Sequence, residues 1–176
     1  MSQQNTAQAS VIISLYHEAL RQGQSLRFQV VSNSMSPVLC VGDIVYIEPA
    51  KANEIRVGDI AAFETPGGMV IHRIARCKQT RERIRLLQMS DVELLHPSWI
   101  EEQAVAGRVV KVRRRNRQAD LRHPVARWSG IVTARIRYRL YRCNPSSRIV
   151  HGVSRLVVHL GYWCMRCCCT TKAKER

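Results

Sequence analysis

Ser32-Asn33-Ser34-Met35-Ser36-Pro37-Val38-Leu39, running on to Gly42-Asp43-Ile44-Val45-Tyr46, is the stretch from which the rest of this chain can be read. Asn33 tolerates unusual backbone angles, Pro37 fixes its own φ, and Ser36 before it is pushed out of the helical region. The segment is therefore a turn, and it presents Ser34 between two extended runs. Before it, Leu26–Ser32 alternates Phe28 and Val30 with polar neighbours and reads as a strand. After it, Asp43–Glu48 and Asp59–Glu64 are strands opened by Gly-Asp turns, and Pro66-Gly67-Gly68 makes a tight connection. Met69–Arg76 then pairs back, and Arg83–Met89 and Ala106–Val112 add further alternating positions. The pattern predicts a mainly β core, a twisted and partly barrel-like sheet. Met35 and Leu39 are core-facing in this reading, and Met35 and Pro37 are also candidates for lining a substrate cleft.

Ser34 is the candidate nucleophile. A serine hydroxyl at neutral pH is a poor one and needs an adjacent base to take its proton. Histidine is the side chain whose ordinary pKa suits that task. His72, in Val70-Ile71-His72-Arg73-Ile74, ends an apolar strand-like run. Such pairs are defined by geometry and not by sequence spacing, so the distance between the two in the chain is no obstacle.

The ordered set formed by the Ser34 turn, the two Gly-Asp strand openings and the His72-Arg73-Ile74 stretch resembles the signal-peptidase/LexA-like serine peptidases. Within them it resembles the branch that uses a Ser–His pair, found in archaeal, sporulation-type and endoplasmic-reticulum signal peptidases. The resemblance covers roughly residues 25–112. Many relatives carry a lysine where His72 stands, and the His-Arg-hydrophobic continuation points to the Ser–His branch. The resemblance implies His72 as general base. It also implies an oxyanion hole formed by the Ser34 backbone N–H and the Ser32 hydroxyl, at a position where some signal peptidases place a second hydroxyl.

The third member implied by the resemblance is Asp91, in Leu87-Gln88-Met89-Ser90-Asp91-Val92-Glu93. It stands where the branch has the aspartate of a Gly-Asp pair, with Ser90 replacing the glycine, and the branch's later aspartate is missing. Asp91 could orient the imidazole, or it could cap the turn before Leu94-Leu95; Glu93 is a weaker substitute.

Charge divides the chain. Residues 1–107 hold 10 Lys/Arg against 11 Asp/Glu, whereas residues 108–176 hold 18 against 2. The 176 residues accordingly divide into an N-terminal helix within 1–24, a catalytic domain over 25–112 and a basic helical extension over 113–176. Ile12, Tyr16, Ala19 and Leu20 recur at helical spacing over 8–22, with Gly23 to end the helix. Arg113–Arg117 reads as a basic linker. Trp128, Ile131, Val132, Ile136 and Leu140 predict a first helix, and Ser147–Met165 a second beyond Asn144-Pro145.

A basic amphipathic helix with tryptophans suits an anionic membrane surface, lying in the interface without spanning it. The alternative is that both helices pack on the domain or on each other. Nucleic acid is a weaker partner, since no recognised nucleic-acid module accompanies the arginines. No run of about 20 apolar residues encodes a spanning helix. Met1 to Ser10 is polar and Val11–Leu15 is short for the apolar part of a secretion signal, so no signal peptide is expected. The expected location is peripheral on a membrane, or cytoplasmic.

Seven cysteines are present. Cys164 and Cys167 have zinc-like spacing, but no second pair completes four ligands, and no metal or cofactor is expected. Cys40 and Cys77 read as small core residues, and the cluster Cys164, Cys167, Cys168 and Cys169 has no reading beyond an interface-facing or incidental one. The function implied is a serine endopeptidase resembling type I signal peptidases, cleaving signal or leader segments of preproteins. Two rivals share the fold: a self-cleaving LexA-like regulator and a non-catalytic binding module.

Overall fold

The computed structural model describes residues 15–16, 18–20, 22–65, 68–94, 97–143 and 147–172. The fold is mostly β. The strands are β1 (Leu26–Gln29), β2 (Ile44–Pro49), β3 (Ile60–Thr65), β4 (Gly68–Gln79), β5 (Ile84–Met89), β6 (Ser98–Glu101), β7 (Val105–Arg114), β8 (Arg117–Asp120) and β9 (Thr170–Lys172). Their order along the sheet is β1-β2-β7-β3-β4-β5-β6, and β8 joins β7 to β9 off that path. Every pairing is antiparallel. The register slips at Tyr46/Ile47, Ala62/Phe63 and between Ile74 and Arg76. Each slip bends its strand and increases local twist, so the sheet curls into a half-barrel.

The helix expected over 8–22 lies largely outside the described residues; residues 15–16 and 18–20 are helical, and Gly23 follows at φ 82°. Most strand expectations match to within a few residues. The segment read as a basic linker differs. Arg113 and Arg114 end β7, Arg117 opens β8, and Arg114 pairs with Arg117 across a two-residue turn. Arg115 takes φ 52° there, ahead of Asn116. Two-residue hairpins need such left-handed angles to match strand twist. Charge density hid this hairpin, because arginines at the tip of a hairpin look the same in sequence as arginines in a linker.

β3 explains why the molecule has cover on both faces of its sheet. Ala61 and Ala62 are adjacent, point to opposite faces and are both fully buried. Ala62 packs with Val45, Ile47, Val109, Met35 and Leu39 on one face. Ala61 packs with Ile74, Leu86, Ala52 and Ile55 on the other.

Two helices lie between β8 and β9, α1 (Pro124–Cys143) and α2 (Arg148–Cys169). Ala126 from α1 and Val158 and Met165 from α2 join the same cluster as Ala62. The helix hairpin therefore packs on the sheet through its small and apolar side chains. A close approach occurs at Gly58, where φ is +94° and an added Cβ would lie 2.5 Å from the Ile131 backbone nitrogen. Gly130 reciprocates: a Cβ there would sit 2.8 Å from the Gly58 carbonyl oxygen. Only glycine permits both the backbone angle and the contact.

Candidate active site

The Ser34 turn links β1 to β2. Ser36 N–H donates to the Asn33 carbonyl at 3.0 Å and Leu39 N–H to the Met35 carbonyl at 2.9 Å. The Asn33 side chain accepts from Val41 N–H at 3.3 Å. Asp43 anchors the far end, accepting from Cys40 N–H at 2.8 Å and from Arg114 at 2.6 and 2.8 Å. Arg114 also donates to the Pro37 carbonyl at 3.0 Å and to the Tyr162 hydroxyl at 2.7 Å. The hydrogen bond to Asp43, more than any other influence, holds the Arg114 guanidinium above its ordinary pKa. The turn is thus tied to both the β7–β8 hairpin and α2. Met35 is 2% exposed and lies in the core, while Pro37 is half-buried.

Ser34 is half-buried and Ser32 exposed, and their hydroxyl oxygens lie 3.3 Å apart. The Ser34 carbonyl accepts three hydrogen bonds, from the Ser90 hydroxyl at 2.6 Å, Asp91 N–H at 2.9 Å and Val92 N–H at 3.1 Å. This bolts the turn to the segment that follows β5. An oxygen with three donors leaves the peptide plane little freedom, which fixes where the Ser34 side chain begins.

His72 lies on β4, opposite Ala61 of β3. Its Nδ1 faces the side-chain carbonyl oxygen of Gln88 on β5. Arg73 pairs with Met89 and Ile74 with Gln88, so His72 and Gln88 are diagonal neighbours on one face. The Gln88 amide donates in turn to the Ser98 hydroxyl of β6 at 2.6 Å. Burial lowers the His72 pKa, and the Gln88 hydrogen bond and then the charges of Asp91 and Glu93 oppose that shift without cancelling it. The imidazole is therefore neutral at pH 7. With Nδ1–H donated to Gln88, Nε2 keeps its lone pair.

Asp91 is placed differently from the imidazole-orienting position considered above. Its two carboxylate oxygens accept from Arg73 Nε at 2.9 Å and Nη2 at 2.6 Å. Arg73 also donates to the Gly58 carbonyl at 3.0 Å. The pair is almost wholly buried, with side-chain exposures of 6% and 1%. The segment around Asp91 is clamped from the other side by Arg137 of α1, which donates to the Ser90 carbonyl at 2.7 Å, the Glu93 carbonyl at 3.0 Å and the Ser154 hydroxyl. Burial pulls the Arg137 pKa down, and the negative charge of Asp91 opposes that. Glu93 is exposed.

Gln88, Ser98, Ser90 and Arg137 were not selected from the sequence. For Gln88 a partial signal existed, since it lies in the expected strand Arg83–Met89, but the pairing and register that bring it to His72 come only from the fold. Arg137 carried none, being one arginine among many. Among the described residues no group of three or more His, Cys, Asp or Glu is placed to hold a metal ion. Cys40 is half-buried, and Cys77, Cys143, Cys164 and Cys167 are exposed free thiols. Cys40 and Cys77 are therefore not fully buried core residues. The side chains of Cys168 and Cys169 lie outside the described residues.

A family profile described as Peptidase S24-like matches residues 2–110, from before β1 through most of β7. The chain belongs to the Peptidase S24-like family, whose superfamily takes in both LexA-type proteins and signal peptidase I. A comparison with curated proteins found no match. Among the described residues no helix is long and apolar enough to cross a membrane.

Proposed function

We propose that the chain is a serine endopeptidase of the signal-peptidase type, with Ser34 as nucleophile and His72 as general base. The observation that carries this reading is that both groups are fastened to one short piece of chain. The Ser34 carbonyl is held by residues 90–92, and the His72 ring by Gln88 two residues earlier. In this mechanism Ser34 Oγ attacks the scissile carbonyl carbon while His72 Nε2 takes the hydroxyl proton. The imidazolium returns that proton to the leaving amine as the tetrahedral species collapses. Water, deprotonated by the same nitrogen, then releases the acyl group. The Ser34 N–H and the Ser32 hydroxyl supply the oxyanion donors, each worth about 2.7–4 kcal/mol where such a donor has been removed.

Gln88 is the positioning residue in this scheme, keeping the base in the tautomer with Nε2 free. A neutral amide stabilises the imidazolium less than a carboxylate does, and the negative charge of Asp91 supplements it from a distance. The substrate is an extended segment, a signal or leader region of a preprotein cleaved after small residues. It adds beside β1, the terminal strand of the sheet path, which leads directly to Ser32.

The family match favours one second reading, a self-cleaving regulator of the LexA type. Incubation of the purified full chain, alone and with candidate preproteins, separates the two. Cleavage of an added preprotein that is absent with Ser34→Ala and His72→Ala supports the first reading. Cleavage only of the chain itself supports the second. Equal turnover by Ser34→Ala overturns both.

A further inference from the structure

The outer face of α2 carries Ile149, Val153, Leu156, Leu160 and Trp163, spaced alternately four and three residues apart. At helical geometry that spacing forms one continuous stripe along the helix. All five are exposed, Leu156 at 58% and Trp163 at 64%. The stripe is therefore not the buried face of the helix, on which Val158 and Met165 pack on the sheet and Ser154 meets Arg137 of α1. Arg148, Arg155, His159 and Arg166 are exposed on the same helix. From Leu121 to Lys172 the sequence contains no aspartate or glutamate. Trp128 of α1 is 71% exposed, and Gly161 packs against Ser129 and Thr133, so Trp128 and Trp163 stand at the same end of the hairpin.

These observations discriminate between occupants. A second copy of this chain would bring like-charged arginines together along the stripe, with no carboxylate on either helix to pair them. Nucleic acid would engage the arginines and leave five apolar side chains in water. An anionic bilayer surface satisfies both features at once. The apolar stripe and tryptophans enter the acyl boundary while the arginines remain among lipid phosphates.

We infer that α2 is an interfacial docking helix, laying the Ile149–Trp163 stripe on an anionic lipid surface. The inference is independent of the peptidase reading, because none of these residues belongs to the candidate active site. The test is co-sedimentation of the full chain with phosphatidylcholine vesicles and with mixed phosphatidylcholine/phosphatidylglycerol vesicles, at low and high salt. Binding to the mixed vesicles is expected to exceed binding to the neutral ones by about tenfold or more, and to weaken with salt. The Leu156→Glu/Leu160→Glu protein is expected to lose binding with an unchanged circular dichroism spectrum and melting temperature. Ser34→Ala is expected to bind as the unaltered chain does, so vesicle binding and cleavage fail separately. Absence of binding to the mixed vesicles at low salt overturns the inference. So does unchanged binding by the double variant, which would reduce the interaction to charge alone. A concentration-dependent dimer abolished by the double variant would assign the stripe to a second copy and overturn it as well.

Discussion

Arg73 and Asp91 form a bidentate ion pair, 2.9 and 2.6 Å long, almost wholly out of water. The residue next to His72 in sequence thus occupies both carboxylate oxygens of the acid that stood as a candidate partner for His72. Breaking such a pair leaves an uncompensated buried charge, which costs more than the pair itself contributes. Asp91→Asn is expected to lower the unfolding free energy by on the order of 3 kcal/mol in urea titration. Its turnover per folded molecule should fall far less than that of Ser34→Ala. A stable Asp91→Asn protein with abolished cleavage would instead give Asp91 a direct role in the chemistry.

The pH dependence follows from His72. Burial moves its pKa below the ordinary 6.5, and a base works only when unprotonated. The acid limb of kcat/KM should therefore lie below pH 6.5. Gln88→Glu places a carboxylate opposite Nδ1, favours the imidazolium and raises the pKa. The same limb should then move to higher pH, with little change in melting temperature. An unmoved limb would show that the titrating group is not His72.

Arg137→Met removes the donor that serves the Ser90 and Glu93 carbonyls and the Ser154 hydroxyl. Each buried acceptor left unpaired costs about 1–3 kcal/mol, partly offset by relieving a buried guanidinium whose Nε has no partner. A lower melting temperature and slower cleavage at saturating substrate are expected together, because the same segment holds the Ser34 carbonyl. Cleavage kinetics identical to the unaltered chain would show that the clamp does not reach the turn.

Two glycines separate backbone strain from helix packing. Gly42 has φ +88° with nothing within 4 Å of an added Cβ, whereas Gly58 has φ +94° with the α1 backbone at 2.5 Å. Gly42→Ala should cost about 1–2 kcal/mol, the left-handed penalty alone. Gly58→Ala should cost clearly more, because it also forces α1 off the sheet. Equal losses in the two denaturation curves would mean that α1 does not press on the Gly58 turn.

Much of the family-matched part of the chain was legible because its signals are local. The short apolar runs in Ile44–Pro49 and Ile60–Thr65, each opened by a Gly-Asp turn, read as strands without reference to anything distant. Arg73 could be singled out as part of a His-Arg pair, but its task of holding Asp91 and the Gly58 carbonyl could not be read. β6 and β9 escaped because their four and three residues lack the longer alternating run that Leu26–Ser32 gives β1.

By itself the sequence determined the strand pattern, the turn that presents Ser34, the candidacy of His72 and the concentration of positive charge after residue 107. Those depend on backbone preference, side-chain chemistry and composition, all carried by the residues alone. Only the tertiary structure decided that Gln88 meets the imidazole, that Arg73 takes Asp91, and which arginines are structural. Arg137 and Arg155 look alike in sequence; one is 1% exposed and clamps the segment holding the Ser34 carbonyl, and the other faces water. The difference arises because a side chain's partners are set by which helix face meets the sheet and by the strand register, and both are fixed only when distant segments pack.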